Sequence, residues 1–175
     1  MRRLLLMRHA KAERSQPGAN DHERALTERG LTDARKLGAY LARHALVPDL
    51  AVVSTAARAR QSWDMVAAAL AAVPSVQFEH RIYDATPEAI LQVIREIGRN
   101  ARTLLVISHN PGLQELAAML VAAGDVETRQ RLSEEFPTSA LAVIEFAFDD
   151  WSRLHLNAGR LEHFVAPRSL QTATD

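Results

Sequence analysis

Short runs of apolar residues alternate along this chain with stretches in which apolar residues recur every three or four positions. The apolar runs predict buried strands at residues 4–8, 50–54, 76–78, 103–108, 141–148 and 161–165. The periodic stretches predict amphipathic helices from Thr27, around Trp63, from Pro87 and over residues 113–123. Thr86 before Pro87 is typical of a helix N-terminus, with a capping side chain followed by proline at the first helical position.

Strands that alternate with helices predict an α/β fold, a three-layer sandwich in which a mostly parallel sheet carries helices on both faces. The late strands are expected to add an antiparallel edge strand. Because no linker or repeat divides the sequence, we expect a single domain over residues 1–175, with a small, polar tail after about residue 167 that is frayed. Residues 13–22 form a long connection between a strand and a helix, and such loops often line sites.

Composition narrows the classes of function. Lysine plus arginine and aspartate plus glutamate number 21 each, so the net charge is zero and a basic nucleic-acid surface is not expected. Cysteine is absent, which excludes disulfides, zinc–thiolate sites and a cysteine nucleophile. No apolar run approaches the ~20 residues that span a bilayer, and the first residues do not read as a signal segment. We therefore expect a cytoplasmic protein with no membrane partner.

Polar residues of one chemical type follow three of the predicted strands. Arg8 and His9 end the first strand, Arg58 comes shortly after the second, and His109 and Asn110 follow the strand at residues 103–108. If these strands are parallel neighbours, their carboxyl ends meet at one edge of the sheet, where α/β folds bind ligands. Arginines, imidazoles and the positive ends of helices together favour an anion, with phosphate as the leading candidate.

Two other interpretations of the histidines are weaker. A metal site is not expected, because no carboxylate or cysteine completes the ligand set at a suitable spacing and the arginines would repel a divalent cation. Arg8 and His9 could also be an ordinary strand end, and residues 109–112 an ordinary turn rich in Asn, Pro and Gly. A histidine held against a phosphoryl group can instead act as a nucleophile, while arginines neutralise the charge of the transition state.

Four segments together resemble the histidine phosphatase superfamily, which includes phosphoglycerate mutases and acid phosphatases. The segment RH at residues 8–9 resembles its Arg-His-Gly signature, and LTERG at 26–30 resembles its Leu-Thr-x-x-Gly helix start. STAARARQS at 54–62 resembles its Ser-x-x-x-Arg-Ala-x-Gln-Thr segment, and SHN at 108–110 resembles its second-histidine motif. The short length, the lysine after Arg-His-Ala and the segment HNPG at 109–112 are similar to the SixA-type branch, the phosphohistidine phosphatases.

The resemblance implies a role for each matching residue. It makes His9 the phosphorylated nucleophile and Arg8, Arg58 and His109 the phosphate pocket, with Asn110 beside it and no metal or cofactor. Ala10 stands where the family usually has glycine. The Glu-Gly proton-donor loop of the mutases has no clear equivalent here; Asp84 is the nearest candidate for a general acid, and Glu88 is the next.

The resemblance therefore implies a metal-independent phosphatase that works through a phosphohistidine on His9. Its expected partner is a phosphorylated substrate, such as a signalling protein that carries phosphohistidine, and its pocket should also accept free phosphate or sulfate. A phosphatase for small phosphate esters and a binding module that kept the pocket but lost turnover are the alternatives. A mutase is less expected, because this short chain lacks the insertions that a second substrate would require.

Overall fold

A seven-stranded mixed sheet runs through the molecule, and helices cover both of its faces. The structure is a computed structural model that describes residues 1–171. The strands are β1 (Arg2–Arg8), β2 (Leu50–Ser54), β3 (Ser75–Glu79), β4 (Thr103–Ser108), β5 (Val121–Gly124), β6 (Leu141–Phe146) and β7 (Gly159–Val165). The helices are α1 (Glu28–Arg43), α2 (Ala57–Ala68), α3 (Pro87–Ile97), α4 (Gly112–Leu120), α5 (Val126–Glu134) and α6 (Pro167–Gln171).

The strand order is β3-β2-β4-β1-β6-β7-β5. Strands β3, β2, β4 and β1 are parallel neighbours, β5 is parallel to β7, and β6 runs antiparallel to both β1 and β7. The predicted mostly parallel α/β sandwich is therefore confirmed. The antiparallel strand differs from the expectation in one respect, because β6 lies inside the sheet rather than at its edge. Strand β7 continues the sheet beyond β6, so the edge strands are β3 and β5.

Successive residues of β1 point to opposite faces of the sheet, as the pleat requires. Leu4 and Leu6 pack with α3 and α4 in one core, and Leu5 and Met7 pack with α1 and α2 in the other. All four side chains are fully buried. A strand that is apolar on both faces belongs between two helical layers, which explains why the sequence has an uninterrupted apolar run here.

Two helices begin where the sequence predicts. The Thr27 side chain accepts a hydrogen bond from the backbone N–H of Gly30 at 3.0 Å, which caps α1. The Thr86 side chain does the same for α3 by accepting from Ala89 at 3.2 Å, and Pro87 is the first helical residue. Such caps satisfy backbone donors that the helix itself leaves free.

The prediction of one helix over residues 113–123 is wrong beyond Leu120. Helix α4 ends there, and Val121–Gly124 form β5, which pairs with β7. The pairing joins residues about forty positions apart, so it leaves no signal in the local periodicity. Helix α5 was not predicted, because Leu132 is its one buried residue and the pattern is almost entirely polar.

The last of the described residues form a short helix. Helix α6 occupies part of the tail that the sequence predicts to be frayed, and Leu170 packs against the core beneath α1 and α2. Residues 172–175, the rest of that tail, lie outside the described residues. In residues 1–171, no helix has both the length and the apolar character that crossing a membrane requires.

Candidate active site

The carboxyl ends of β2, β4 and β1 meet at one edge of the sheet, as the sequence analysis expects. His9 follows β1 directly, His109 follows β4, and Arg58 lies in the first turn of α2 after β2. The structure thus brings Arg8, His9, Arg58 and His109 into one pocket, a cavity of about 350 Å³. Six further residues that line this pocket are Lys11, Ala12, Asp21, Arg24, Asp84 and Thr138, and Asn110 completes the lining.

His9 is buried in the pocket, with only 7% of its surface exposed. Its Nδ1 lies 2.7 Å from the carbonyl oxygen of Ala10. Because a carbonyl oxygen only accepts, the neutral imidazole carries its proton on Nδ1 and keeps a lone pair on Nε2. Burial lowers the pKa of His9 to about 4, and Arg58 and Arg8 act in the same direction. At neutral pH this imidazole is therefore unprotonated, and its Nε2 lone pair is available.

His109 is the second imidazole, with its ring centre 5.0 Å from that of His9. Its Nε2 lies 2.7 Å from Oγ of the fully buried Ser54. Ser54 Oγ also accepts from the backbone N–H of Ala56 at 3.3 Å and keeps its own proton to donate to His109 Nε2. Nδ1 of the same ring lies 3.8 Å from the Asp84 carboxylate, which is an acceptor, so the two contacts together favour the tautomer that carries its proton on Nδ1. Burial lowers the pKa of His109 to about 3, with the charges of His9 and Arg58 as further causes, so it is a neutral donor.

The two arginines differ in their partners. Arg58 is buried, and it donates to the backbone oxygen of Asp21 at 2.9 Å and to its Oδ2 at 3.2 Å. Arg8 donates to the backbone oxygen of Phe136 at 3.2 Å and forms no ion pair within residues 1–171. A part-buried guanidinium without a counter-charge is costly, and an anion in the pocket would remove that cost.

Three buried nitrogens around the pocket lack hydrogen-bond partners among the described residues. They are Arg8 Nε, Arg58 Nε and His109 Nδ1. Buried donors are usually satisfied, so a group of unsatisfied donors beside an unprotonated imidazole indicates a site for an oxyanion. No group of three or more histidine, aspartate or glutamate side chains within residues 1–171 could hold a metal ion.

Asp21 is a site residue that the sequence analysis did not single out. It comes from the long loop at residues 13–22, and its carboxylate accepts from Tyr83, Arg58 and Arg24. The hydrogen bond from the Tyr83 hydroxyl, at 2.5 Å, is the main reason that the pKa of Asp21 falls to about 2. Asp21 is therefore an ionised group that orients Arg58. The unusual length of the loop was the one available signal.

The remaining predicted residues fall in different places. Asp84 lies at the rim, with Oδ1 3.6 Å from Arg58 Nη2 and 3.8 Å from His109 Nδ1. Asn110 lines the pocket, but its amide donates to the Phe136 carbonyl at 2.9 Å and accepts from the backbone of Gln114 at 3.3 Å. Both ends of that amide thus hold the surrounding loops together. Glu88 lies in the first turn of α3, outside the lining of the pocket.

Comparison with known proteins agrees with this geometry. Residues 4–86 match the model of the histidine phosphatase superfamily (branch 1). A structure from Agrobacterium tumefaciens, provisionally named phosphohistidine phosphatase SixA, is 30% identical, with a TM-score of 0.78 and coverage of 95% of this chain and 98% of that one. This chain belongs to the histidine phosphatase superfamily.

Two further structures place it in the SixA-type branch. One from Nakamurella multipartitia, also provisionally named SixA, has a TM-score of 0.83 and 27% identity, over 95% of this chain and 96% of that one. The protein histidine phosphatase SixA complexed with tungstate has a TM-score of 0.73 and 26% identity, over 96% and 99%. Membership of this superfamily indicates phosphatase activity.

Proposed function

We propose that this histidine phosphatase removes the phosphoryl group from phosphohistidine on a protein, through a phosphohistidine intermediate on its own His9. The observation that carries the proposal is the bond between His9 Nδ1 and the Ala10 carbonyl. It leaves the Nε2 lone pair free in a pocket that also holds Arg8 and Arg58. A binding module would need the arginines but would have no use for a neutral, oriented imidazole.

In the first step the lone pair on His9 Nε2 attacks phosphorus, and the bond from phosphorus to the leaving nitrogen breaks. The electron pair of that bond stays on the leaving imidazole. Arg8, Arg58 and the Nδ1 proton of His109 donate to the three phosphoryl oxygens, where negative charge is concentrated. In the second step water attacks the phosphorus of phospho-His9, which releases phosphate and restores the neutral imidazole.

The need to protonate the leaving group favours phosphohistidine over phosphate esters as the substrate. Asp21 is held ionised, so it has no proton to give to a departing alkoxide. An imidazole leaves without such help when its other ring nitrogen is already protonated. Asp84 is the observation that favours the second candidate, a phosphatase for small esters, because a carboxylic acid at the rim could protonate an ester oxygen.

A turnover panel tests the proposal. A histidine-phosphorylated protein, p-nitrophenyl phosphate and a sugar phosphate are compared, with His9→Ala as the control and with one series in EDTA. We expect the first two substrates to react at least tenfold faster than the sugar phosphate, EDTA to have no effect, and tungstate or phosphate to inhibit competitively. If the sugar phosphate reacts as fast as the histidine-phosphorylated protein, the small-ester candidate is favoured. If EDTA abolishes activity and Mg²⁺ restores it, metal independence is rejected.

A further inference from the structure

The position of His9 fixes the direction in which the leaving group departs. His9 is buried in the wall of the pocket, 7% exposed, whereas the Asp84 side chain at the rim is 54% exposed. In phosphoryl transfer the attacking and leaving atoms lie roughly in line through phosphorus. A nucleophile that attacks from the buried side therefore directs the leaving group toward the exposed side of the pocket, where Asp84 lies.

The Asp84 carboxylate is free to accept a hydrogen bond there. It forms no hydrogen bond within residues 1–171, and its contacts with Arg58 and His109, at 3.6 and 3.8 Å, are longer than hydrogen bonds. Asp21, the other carboxylate of the pocket, is already fully used by Tyr83, Arg58 and Arg24. Asp84 is thus the pocket carboxylate with acceptor capacity left for a substrate.

The segment that carries Asp84 is held in place from two sides. The Ser108 hydroxyl at the end of β4 donates to the carbonyl of Ile82 at 2.7 Å. Gly112, at the start of α4, packs so closely on the carbonyl of Ala85 that a Cβ would collide with it. Asp84 itself has φ of 45°, a left-handed conformation that aspartate and asparagine tolerate better than most residues. The backbone that carries the carboxylate is therefore held in place at the rim.

We propose that Asp84 forms a leaving-group subsite for a protonated imidazole, an inference that rests on the proposed function. Its carboxylate accepts a hydrogen bond from the second ring nitrogen of the substrate's phosphohistidine, which holds that ring in its protonated, cationic form. When His9 Nε2 bonds to phosphorus, the phosphorus–nitrogen bond breaks and its electron pair neutralises the cationic ring. The imidazole departs neutral with its proton still on the second nitrogen, so no proton moves in this step.

This subsite selects one chemical class of substrate. A cationic leaving group gains from the nearby carboxylate, whereas an aryl or alkyl oxygen that develops negative charge is repelled by it. Asp84 here acts as an acceptor that favours N-phosphorylated imidazoles. As a general acid it would do the opposite, because it would assist esters most.

The test compares N-phosphoimidazole with p-nitrophenyl phosphate in the parent, Asp84→Asn and Asp84→Gly, both of which fit the left-handed backbone. Asp64→Asn, an exposed aspartate on α2, is the matched control. We expect the ratio of kcat/KM for phosphoimidazole to that for p-nitrophenyl phosphate to fall about tenfold in both Asp84 variants, the size expected for one charge-assisted hydrogen bond. Because Asp84 also lies near Arg58, the ratio is the decisive readout and either rate alone is not.

Three outcomes overturn the proposal. An unchanged ratio means that Asp84 acts on both substrates alike, through Arg58 or His109. A larger loss with p-nitrophenyl phosphate means that Asp84 is a general acid. If the parent hydrolyses p-nitrophenyl phosphate but not phosphoimidazole, the proposed phosphohistidine activity itself is rejected and the subsite with it, whereas the first two outcomes leave that activity standing.

Discussion

At the scale of single residues, two hydrogen bonds decide the chemistry of the pocket. The Ala10 carbonyl sets the proton of His9 on Nδ1, and the Ser54 hydroxyl sets the proton of His109 on Nδ1 as well. The first bond leaves a lone pair on Nε2 of His9, and the second leaves a proton on Nδ1 of His109. Two chemically identical side chains, 5.0 Å apart, thus have opposite roles because their neighbours differ.

Replacing Arg58 tests the assignment of the oxyanion pocket. Arg58→Ala removes a charged donor for the phosphoryl oxygens, which is worth about 3–4 kcal/mol in comparable sites, so kcat should fall roughly 10²- to 10³-fold. The measurement is steady-state hydrolysis of p-nitrophenyl phosphate. Arg60→Ala, two positions along α2 and 46% exposed, is the control and should keep parental kcat. Parental activity in Arg58→Ala would mean that the pocket is wrongly assigned.

Replacing Ser54 tests the tautomer of His109. Without the hydroxyl, His109 Nε2 loses the donor that keeps its proton on Nδ1, and one neutral hydrogen bond to the transition state becomes weaker. We expect Ser54→Ala to lower kcat roughly tenfold, for a loss of ~1.4 kcal/mol. Ser152→Ala, on the surface, is the control. An unchanged kcat, with binding of tungstate also unchanged, would show that Ser54 has no part in orienting His109.

The residues that could be predicted from the sequence are those whose type and position both carry a signal. Arg8, His9 and His109 stand at strand ends, where a cation or imidazole is unexpected unless it serves a site. Asp21 and Tyr83 have no such signal, because each reaches the pocket from a loop whose path depends on the folded structure. Asn110 has the right position, yet its amide bonds to Phe136 and Gln114, which sequence spacing does not reveal.

At the scale of elements, the pocket is built by strand ends and by the helices that start beside them. Helix α2 carries Arg58 in its first turn, and α4 starts just after His109. The elements that build the site could be predicted because each has a local signal, either an apolar strand or the periodic apolar positions of a helix. The errors concern β5 and α5, since the first depends on pairing with β7 and the second is a polar surface helix.

Replacing Gly112 tests whether the start of α4 must pack closely against the segment that carries Asp84. A Cβ at this position would collide with the carbonyl of Ala85, beside Asp84. Gly112→Ala should therefore lower the free energy of unfolding by roughly 1–3 kcal/mol, as overpacking does, and should also lower kcat. Gly18→Ala is the comparison: nothing lies within 4 Å, but φ is +79°, so we expect a loss of about 1 kcal/mol with kcat unchanged. Parental stability in Gly112→Ala contradicts the close contact seen here.

At the scale of the whole molecule, the apolar cores and the pocket lie on different parts of the sheet. Two apolar cores lie on opposite faces of the sheet, while the charged groups of the pocket gather at one edge, where β2, β4 and β1 end. The three-layer architecture was predictable because strands that are apolar on both faces require two helical layers. The interior position of β6 was not, because strand order is set by long-range pairing.

The buried histidines make the stability of the whole molecule depend on pH. The pKa values of His9 and His109 are lowered to about 4 and about 3, whereas an exposed histidine titrates near 6.5. As the pH falls from about 6.5 to about 4, the unfolded chain binds protons at these positions and the folded chain does not, so stability is lost. We expect the thermal midpoint to fall in this range. The variant His9→Asn/His109→Asn should show a smaller fall, and an identical pH profile in both proteins would contradict the depressed pKa values.

The central claim is that the phosphoryl group passes through Nε2 of His9, and trapping the phosphoenzyme tests it most directly. The protein is mixed briefly with a phosphorylated substrate, quenched in base and mapped for acid-labile, base-stable phosphate. We predict one label, on Nε2 of His9, with none in His9→Ala. A label on another residue, or turnover by His9→Ala at the parental rate, would contradict the account.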